Sequence, residues 1–76
     1  IYFERGLAYY STHQYKKAFH DFQNSIEMKY NVGESHYMTG LCWLSIAKKE
    51  KACESFKLGF LYGDSLSTKT MNEICK

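Results

Sequence analysis

Proline is absent from the 76 residues. That excludes proline-rich linkers and leaves helices free of their strongest breaker. No apolar run approaches about 18 residues, so no transmembrane helix is expected. The opening Ile1-Tyr2-Phe3-Glu4-Arg5 has no basic segment followed by an apolar one, which argues against a signal peptide. An initiator Met is also missing, so the chain is expected to be a piece of a longer protein, with any targeting information outside it. The formal net charge is only +2, too small to suggest nucleic acid or an anionic membrane as partner. There is no phosphate-binding glycine loop, no dinucleotide fingerprint, no HExxH and no nucleophile elbow. A chain this short holds one small domain, with little room for both a core and a deep catalytic cleft.

What is present is globular in composition. Hydrophobic residues make up 45% and charged residues 24%, a balance that argues against disorder. The 17% aromatic share, seven Tyr, five Phe and one Trp, supplies large side chains for a small core.

The chain repeats itself. At an offset of 34, Gly6/Gly40, Leu7/Leu41, Ser11/Ser45, Lys17/Lys51, Ala18/Ala52 and Phe22/Phe56 are identical. Phe3/Tyr37, Ala8/Cys42, Tyr9/Trp43, Ser25/Gly59 and Ile26/Phe60 are similar in the same register. Each unit reads as two helices. Tyr2, Phe3, Gly6, Tyr9 and Tyr10 recur at helical spacings. Ser11-Thr12-His13-Gln14 is a polar break that offers an N-cap. A second helical pattern follows from Tyr15 through Ala18, Phe19, Phe22, Ser25, Ile26 and Met28, and Asn31-Val32-Gly33 closes the unit. The second unit predicts a helix from Ser35 to about Ile46 and another from Lys49 to Tyr62, with Gly63-Asp64-Ser65 as its end. A last helix is expected over about Leu66–Cys75. Gly6 with Ala18, and Gly40 with Ala52, are expected to let antiparallel helices cross closely, with Tyr9, Phe22, Trp43 and Phe56 filling the flanks. A helix-interior Gly costs about 1 kcal/mol relative to Ala, so its use twice in one register suggests an offsetting gain in packing.

This pattern resembles the tetratricopeptide repeat (TPR) family, whose unit is a 34-residue helix–turn–helix. Tyr2, Gly6, Tyr9, Ala18 and Phe22, then Gly40, Trp43, Ala52 and Phe56, stand at the family's positions. Arg5 and Thr39 replace the family's Leu, His36 its first aromatic, and Tyr30 and Asp64 its closing Pro. The resemblance implies an all-α fold of five helices: one unit over 1–34, a second over 35–64, and a capping helix over 65–76. Residues 52–75 also resemble the carboxyl-terminal end of bacterial TPR proteins, which suggests that Lys76 lies near a natural terminus.

Candidate chemistry is sparse. His13, His20 and His36 are scattered, and His20 and His36 read as exposed or rim positions. Glu50 and Glu54 lie among Lys49, Lys51 and Lys57 and read as a solvated, salt-bridged helix face. Lys48-Lys49-Glu50-Lys51 reads as a solvated inter-helix loop rather than an anion site. Cys42, Cys53 and Cys75 match no zinc-ligand spacing. They read either as three small buried hydrophobes or, for Cys53 and Cys75, as a disulfide stapling the last helix. The compartment follows that choice: cytoplasmic, or exported if the two are bridged. Neither a catalytic residue nor a cofactor or metal site is expected.

The resemblance implies that the first helix of each unit lines a concave groove. Its rows would be Phe3/Tyr37/Met71, Leu7/Leu41/Cys75 and Tyr10/Leu44. Leu7 and Leu41 stand where carboxylate-clamping members of the family place Asn, so a carboxylate clamp is not expected. The implied groove, Phe3, Leu7, Tyr10, Tyr37, Leu41, Leu44 and Met71, is apolar. It suits an amphipathic helix or an extended apolar peptide of another protein. The alternative is an architectural end-piece or a homodimer that covers the groove itself. Two units and a cap are marginal for a repeat stack, and the open face of the first helix is expected to be sticky.

Overall fold

A computed structural model describes residues 1–75. Lys76, at the end of the expected capping segment, lies outside the described residues. Among those described there are five helices and no strand: α1 Tyr2–Ser11, α2 Tyr15–Glu27, α3 Val32–Ser45, α4 Lys49–Leu61 and α5 Ser65–Ile74. Each helix packs on the next in chain order, in a body of 32 × 25 × 15 Å.

All four turns are built alike. At the end of α1 the His13 N–H donates to the Tyr10 carbonyl and the Gln14 N–H to the Tyr9 carbonyl. Lys29/Tyr30, Ala47/Lys48 and Gly63/Asp64 repeat this pair of bonds at the ends of α2, α3 and α4. This is the Schellman closure, which satisfies the last helical carbonyls and needs one left-handed residue. His13, Lys29, Ala47 and Gly63 are that residue, at φ of 62, 57, 62 and 88°. Their positions recur at 34, so the sequence period is also a backbone period. The polar break before α2 supplies no side-chain cap to Gln14. The helix C-terminus, not a Ser or Thr N-cap, shapes that turn. α5 has an N-cap side chain that accepts a backbone N–H: Asp64 accepts from the Ser67 backbone N–H at 2.9 Å and from its hydroxyl at 2.8 Å.

The third helix starts earlier than expected. Val32 and Gly33 belong to α3 rather than to a closing turn. A Cβ at Gly33 would stand 3.1 Å from the Tyr62 carbonyl oxygen, so this glycine serves a close approach between α3 and the α4–α5 turn.

Within each hairpin the glycine notch is filled directly by the phenylalanine ring. A Cβ on Gly6 would lie 2.7 Å from Phe22 Cε1, and a Cβ on Gly40 would collide with Phe56 in the same way. Ala18, Phe22, Ala52 and Phe56 are fully buried. The position three residues before each glycine completes the cluster: Phe3 packs on Phe22 and Tyr37 on Phe56, both with ring centroids 5.7 Å apart. Burial of this kind, at about 25 cal/mol per Å² of apolar surface, offsets the helical cost of glycine.

Between hairpins, Trp43 of α3 meets Phe19 of α2 edge-on at 5.0 Å. At the other end of that seam, the Ser35 hydroxyl donates to Ser25 Oγ, which itself donates to the Tyr30 carbonyl. At the next seam, Ser67 of α5 presses against Gly59 of α4, and Cys53 is bonded to Cys75 with Cα atoms 5.9 Å apart. Cys42 remains a free, buried thiol.

Candidate interaction surface

The residues of the implied groove divide. Phe3 does not line a surface: it is 7% exposed, enclosed by Phe22 and by Tyr30 edge-on at 6.3 Å. That expectation is corrected, because Tyr30 folds back over Phe3. Tyr10, Tyr37, Leu41, Leu44 and Met71 are half-buried, and Leu7 is exposed. Tyr10 leans on Tyr15 edge-on at 5.3 Å, and Tyr37 lies over Phe56. These six side chains come from α1, α3 and α5 and keep part of their apolar surface in water. Cys75, the last member of the Leu7/Leu41 row, is spent on the bond to Cys53.

Two of the cavities among the described residues lie away from these side chains. One, of about 640 Å³, is lined by Ile1, Tyr2, Arg5, Ser25, Met28 and Tyr30 at the open end of the first hairpin. The other, of about 260 Å³, is lined by Tyr15, Lys16, Phe19, Cys42, Trp43 and Ile46 at the seam between α2 and α3. Neither is visible from the helical spacing, since each joins residues from two helices whose mutual placement depends on the turns.

Electrostatics centre on one pair. Arg5 Nε and Nη2 each donate at 2.8 Å to the two carboxylate oxygens of Asp21. Asp21 is 2% exposed, and its carboxyl is held below the usual carboxylate range, first by the Arg5 hydrogen bonds. Arg5 also lies near the rings of Tyr2 and Tyr9, at 5.7 and 5.9 Å. In the second unit the equivalents are Thr39 and Ser55, and the Thr39 hydroxyl turns to the His36 carbonyl at 2.8 Å. The departure at Arg5 from the family pattern is therefore compensated by Asp21.

The face around Glu50 and Glu54 carries no ion pair among the described residues, which corrects the expected salt-bridged face. Lys51 instead sits over the Trp43 ring at 5.1 Å, and Lys17 over Tyr9 at 5.6 Å. The identity Lys17/Lys51 thus pairs with the similarity Tyr9/Trp43 as a repeated cation–π contact. Ser11 and Ser45 likewise donate to the Leu7 and Leu41 carbonyls.

The three histidines are apart. His13 contacts the Tyr15 hydroxyl at 2.7 Å, and His20 lies 3.4 Å from Asn24. His36 is half-buried, stacks on Tyr62, and is pushed below the ordinary imidazole range by that burial. Burial raises the Cys42 thiol to about 11, leaving almost no thiolate at neutral pH. Among the described residues no three of His, Cys, Asp and Glu are grouped so as to hold a metal ion. No described helix is long and apolar enough to cross a membrane.

Compared with family models, with curated proteins and with solved structures, the chain matches none.

Proposed function

We propose that this chain is a protein-interaction module of the TPR type that acts as a scaffold without catalysis of its own. Its partner element is an amphipathic helix or an extended apolar peptide, received on Leu7, Tyr10, Tyr37, Leu41, Leu44 and Met71. One observation carries the reading. Six apolar side chains in one register, on alternate helices, stay partly in water, while Ala18, Phe22, Ala52 and Phe56 are fully buried in the hairpin cores. Covering such a strip is the usual source of affinity for a helix-in-groove partner. The scattered histidines and the lack of a carboxylate pair on one face support a non-catalytic role. The Cys53–Cys75 bond favours an oxidising compartment.

A second reading, an architectural end-piece or homodimer, is favoured by a different observation. Phe60, Leu61, Tyr62 and Leu66 are each about half exposed or more, beyond the strip. Leu7→Glu with Leu41→Glu separates the two. An interaction module keeps its helicity and melting transition and loses capture of its partner from the native source. An architectural piece loses its oligomer, read by light scattering, or its cooperative melt.

A further inference from the structure

The seam cavity opens at one end of the molecule, and that end is basic. The start of α2 and the end of α3 meet there, so the turn at His13 and the turn at Ala47 lie side by side. Lys16, Lys17, Lys48, Lys49 and Lys51 belong to these two turns and the helix starts that follow them. They are five of the ten cationic side chains in the chain, and Glu50 is the one carboxylate among them; the other seven lie elsewhere. Among the described residues no ion pair engages the five lysines. Lys17 and Lys51 rest on aromatic faces, which leaves Lys16, Lys48 and Lys49 with free ammonium groups.

The cavity itself is apolar. Phe19 and Trp43 form its walls and the buried thiol of Cys42 completes it. Ile46 stands at the rim, 48% exposed, and Lys16 completes the lining. An apolar socket lined by Lys16, with Lys48 and Lys49 in the turn that follows its Ile46, selects against a cationic segment and favours an anionic one.

We propose that the α2–α3 seam is a second docking site, distinct from the strip on α1, α3 and α5, for a peptide segment of another protein that inserts an apolar side chain between Tyr15, Phe19, Trp43 and Ile46 and flanks it with carboxylates facing Lys16, Lys48 and Lys49. The apolar anchor supplies affinity, and the lysines set orientation and on-rate. This site does not depend on the strip, so the two can be broken separately.

Trp43 is the sole tryptophan, so its emission reports on the cavity directly. The probe is a synthetic helical peptide with Leu on one face and Glu on the other, titrated into the full 76-residue chain. A twin with Lys for every Glu is the control. The expected result is a saturable Trp43 emission shift with the Glu peptide and none with its twin. Raising salt to several times physiological weakens binding at least about fivefold, as Debye screening requires. Lys16→Glu with Lys49→Glu, whose side chains are solvent-exposed, weakens it about tenfold or more. Ile46→Glu abolishes it, and Leu7→Glu with Leu41→Glu leaves it unchanged. The proposal is overturned if the Lys twin binds equally, or if the strip variant and not Ile46→Glu removes the shift. It is also overturned if phosphatidylserine vesicles move Trp43 emission while the Glu peptide does not. Should Ile46→Glu lose its far-UV circular dichroism, the double lysine variant decides alone.

Discussion

At the seam between α2 and α3, Phe19 meets Trp43. Thirty-four residues on, at the seam between α4 and α5, the equivalent of Phe19 is Cys53, and it is bonded to Cys75. The two seams solve one problem under different conditions. The third helix has 14 residues, buries Ser35, Thr39, Gly40 and Cys42, and is held from both sides by α2 and α4. The fifth has 10 residues, buries only Ser67, and packs on α4. A helix that buries so little of itself gains less from packing than α3 does. A covalent link from Cys53, the position equivalent to Phe19, adds to the hold on it.

The largest expected effect comes from cutting that link. The bond spans 22 residues of chain, and the loop-closure model assigns such a loop about 3 kcal/mol. Cys53→Ser, or reduction, should free α5 while the two hairpins keep their structure. Hydrogen exchange would show Ser65–Ile74 losing protection, with Tyr2–Ser45 unchanged. If protection fell evenly across all five helices, the seams would not be energetically separate, and the comparison would fail. Thiol counting on the unreduced, denatured chain should find one free thiol, Cys42.

A second contrast lies between the hairpins. The first carries the Arg5–Asp21 pair, and the second carries Thr39 and Ser55, which do not titrate. The folded carboxyl of Asp21 lies below its unfolded value near 3.9. Its contribution is therefore complete above that unfolded value and is lost as pH falls through the lower, folded one. Acid should loosen the first hairpin before the second. Replacing Arg5 by Met removes the donors and leaves the buried carboxylate alone, so the acid midpoint should move upward. Exchange protection of α1 and α2 measured from pH 5 to pH 2 checks both points. Equal loss in α3 and α4 would mean that the pair is incidental to acid stability.

Particular residues show what could be read in advance. Gly6 and Gly40 were legible, because a glycine recurring in one helical register needs a ring or backbone against it, and Phe22 and Phe56 supply that ring. Position alone set Phe3 on an open face, but Tyr30 covers it. Tyr30 reads as a loop residue, and only the Schellman turn at Lys29 brings it back. The face around Lys51 reads as solvated by charge, whereas its ammonium group sits over Trp43, and that of Lys17 over Tyr9. Arg5 stands where the TPR pattern has Leu, and only the fold sets Asp21, sixteen residues away, beside it. The seam cavity was not legible at all. It exists because the turns set the end of α3 against the start of α2, a relation that periodicity within one helix does not carry.

The turns offer the smallest and cleanest test of the 34-residue period. Five described residues take the left-handed conformation, four of them at the Schellman turns, yet only Gly63 is a glycine. For a residue with a Cβ this conformation costs on the order of 1 kcal/mol. Ala47 has no long side chain to hydrogen-bond locally, and it is exposed. Ala47→Gly should therefore relieve strain without removing a buried contact, raising stability by somewhat under about 1 kcal/mol, since the added freedom of the unfolded chain opposes part of the gain. Gly63→Ala should do the reverse by a similar amount; a Cβ there meets nothing within 4 Å, so the loss would be backbone strain alone. Thermal melts of the two variants should shift in opposite directions by comparable amounts. Shifts of the same sign would show that the α3–α4 and α4–α5 turns are not one backbone element used twice.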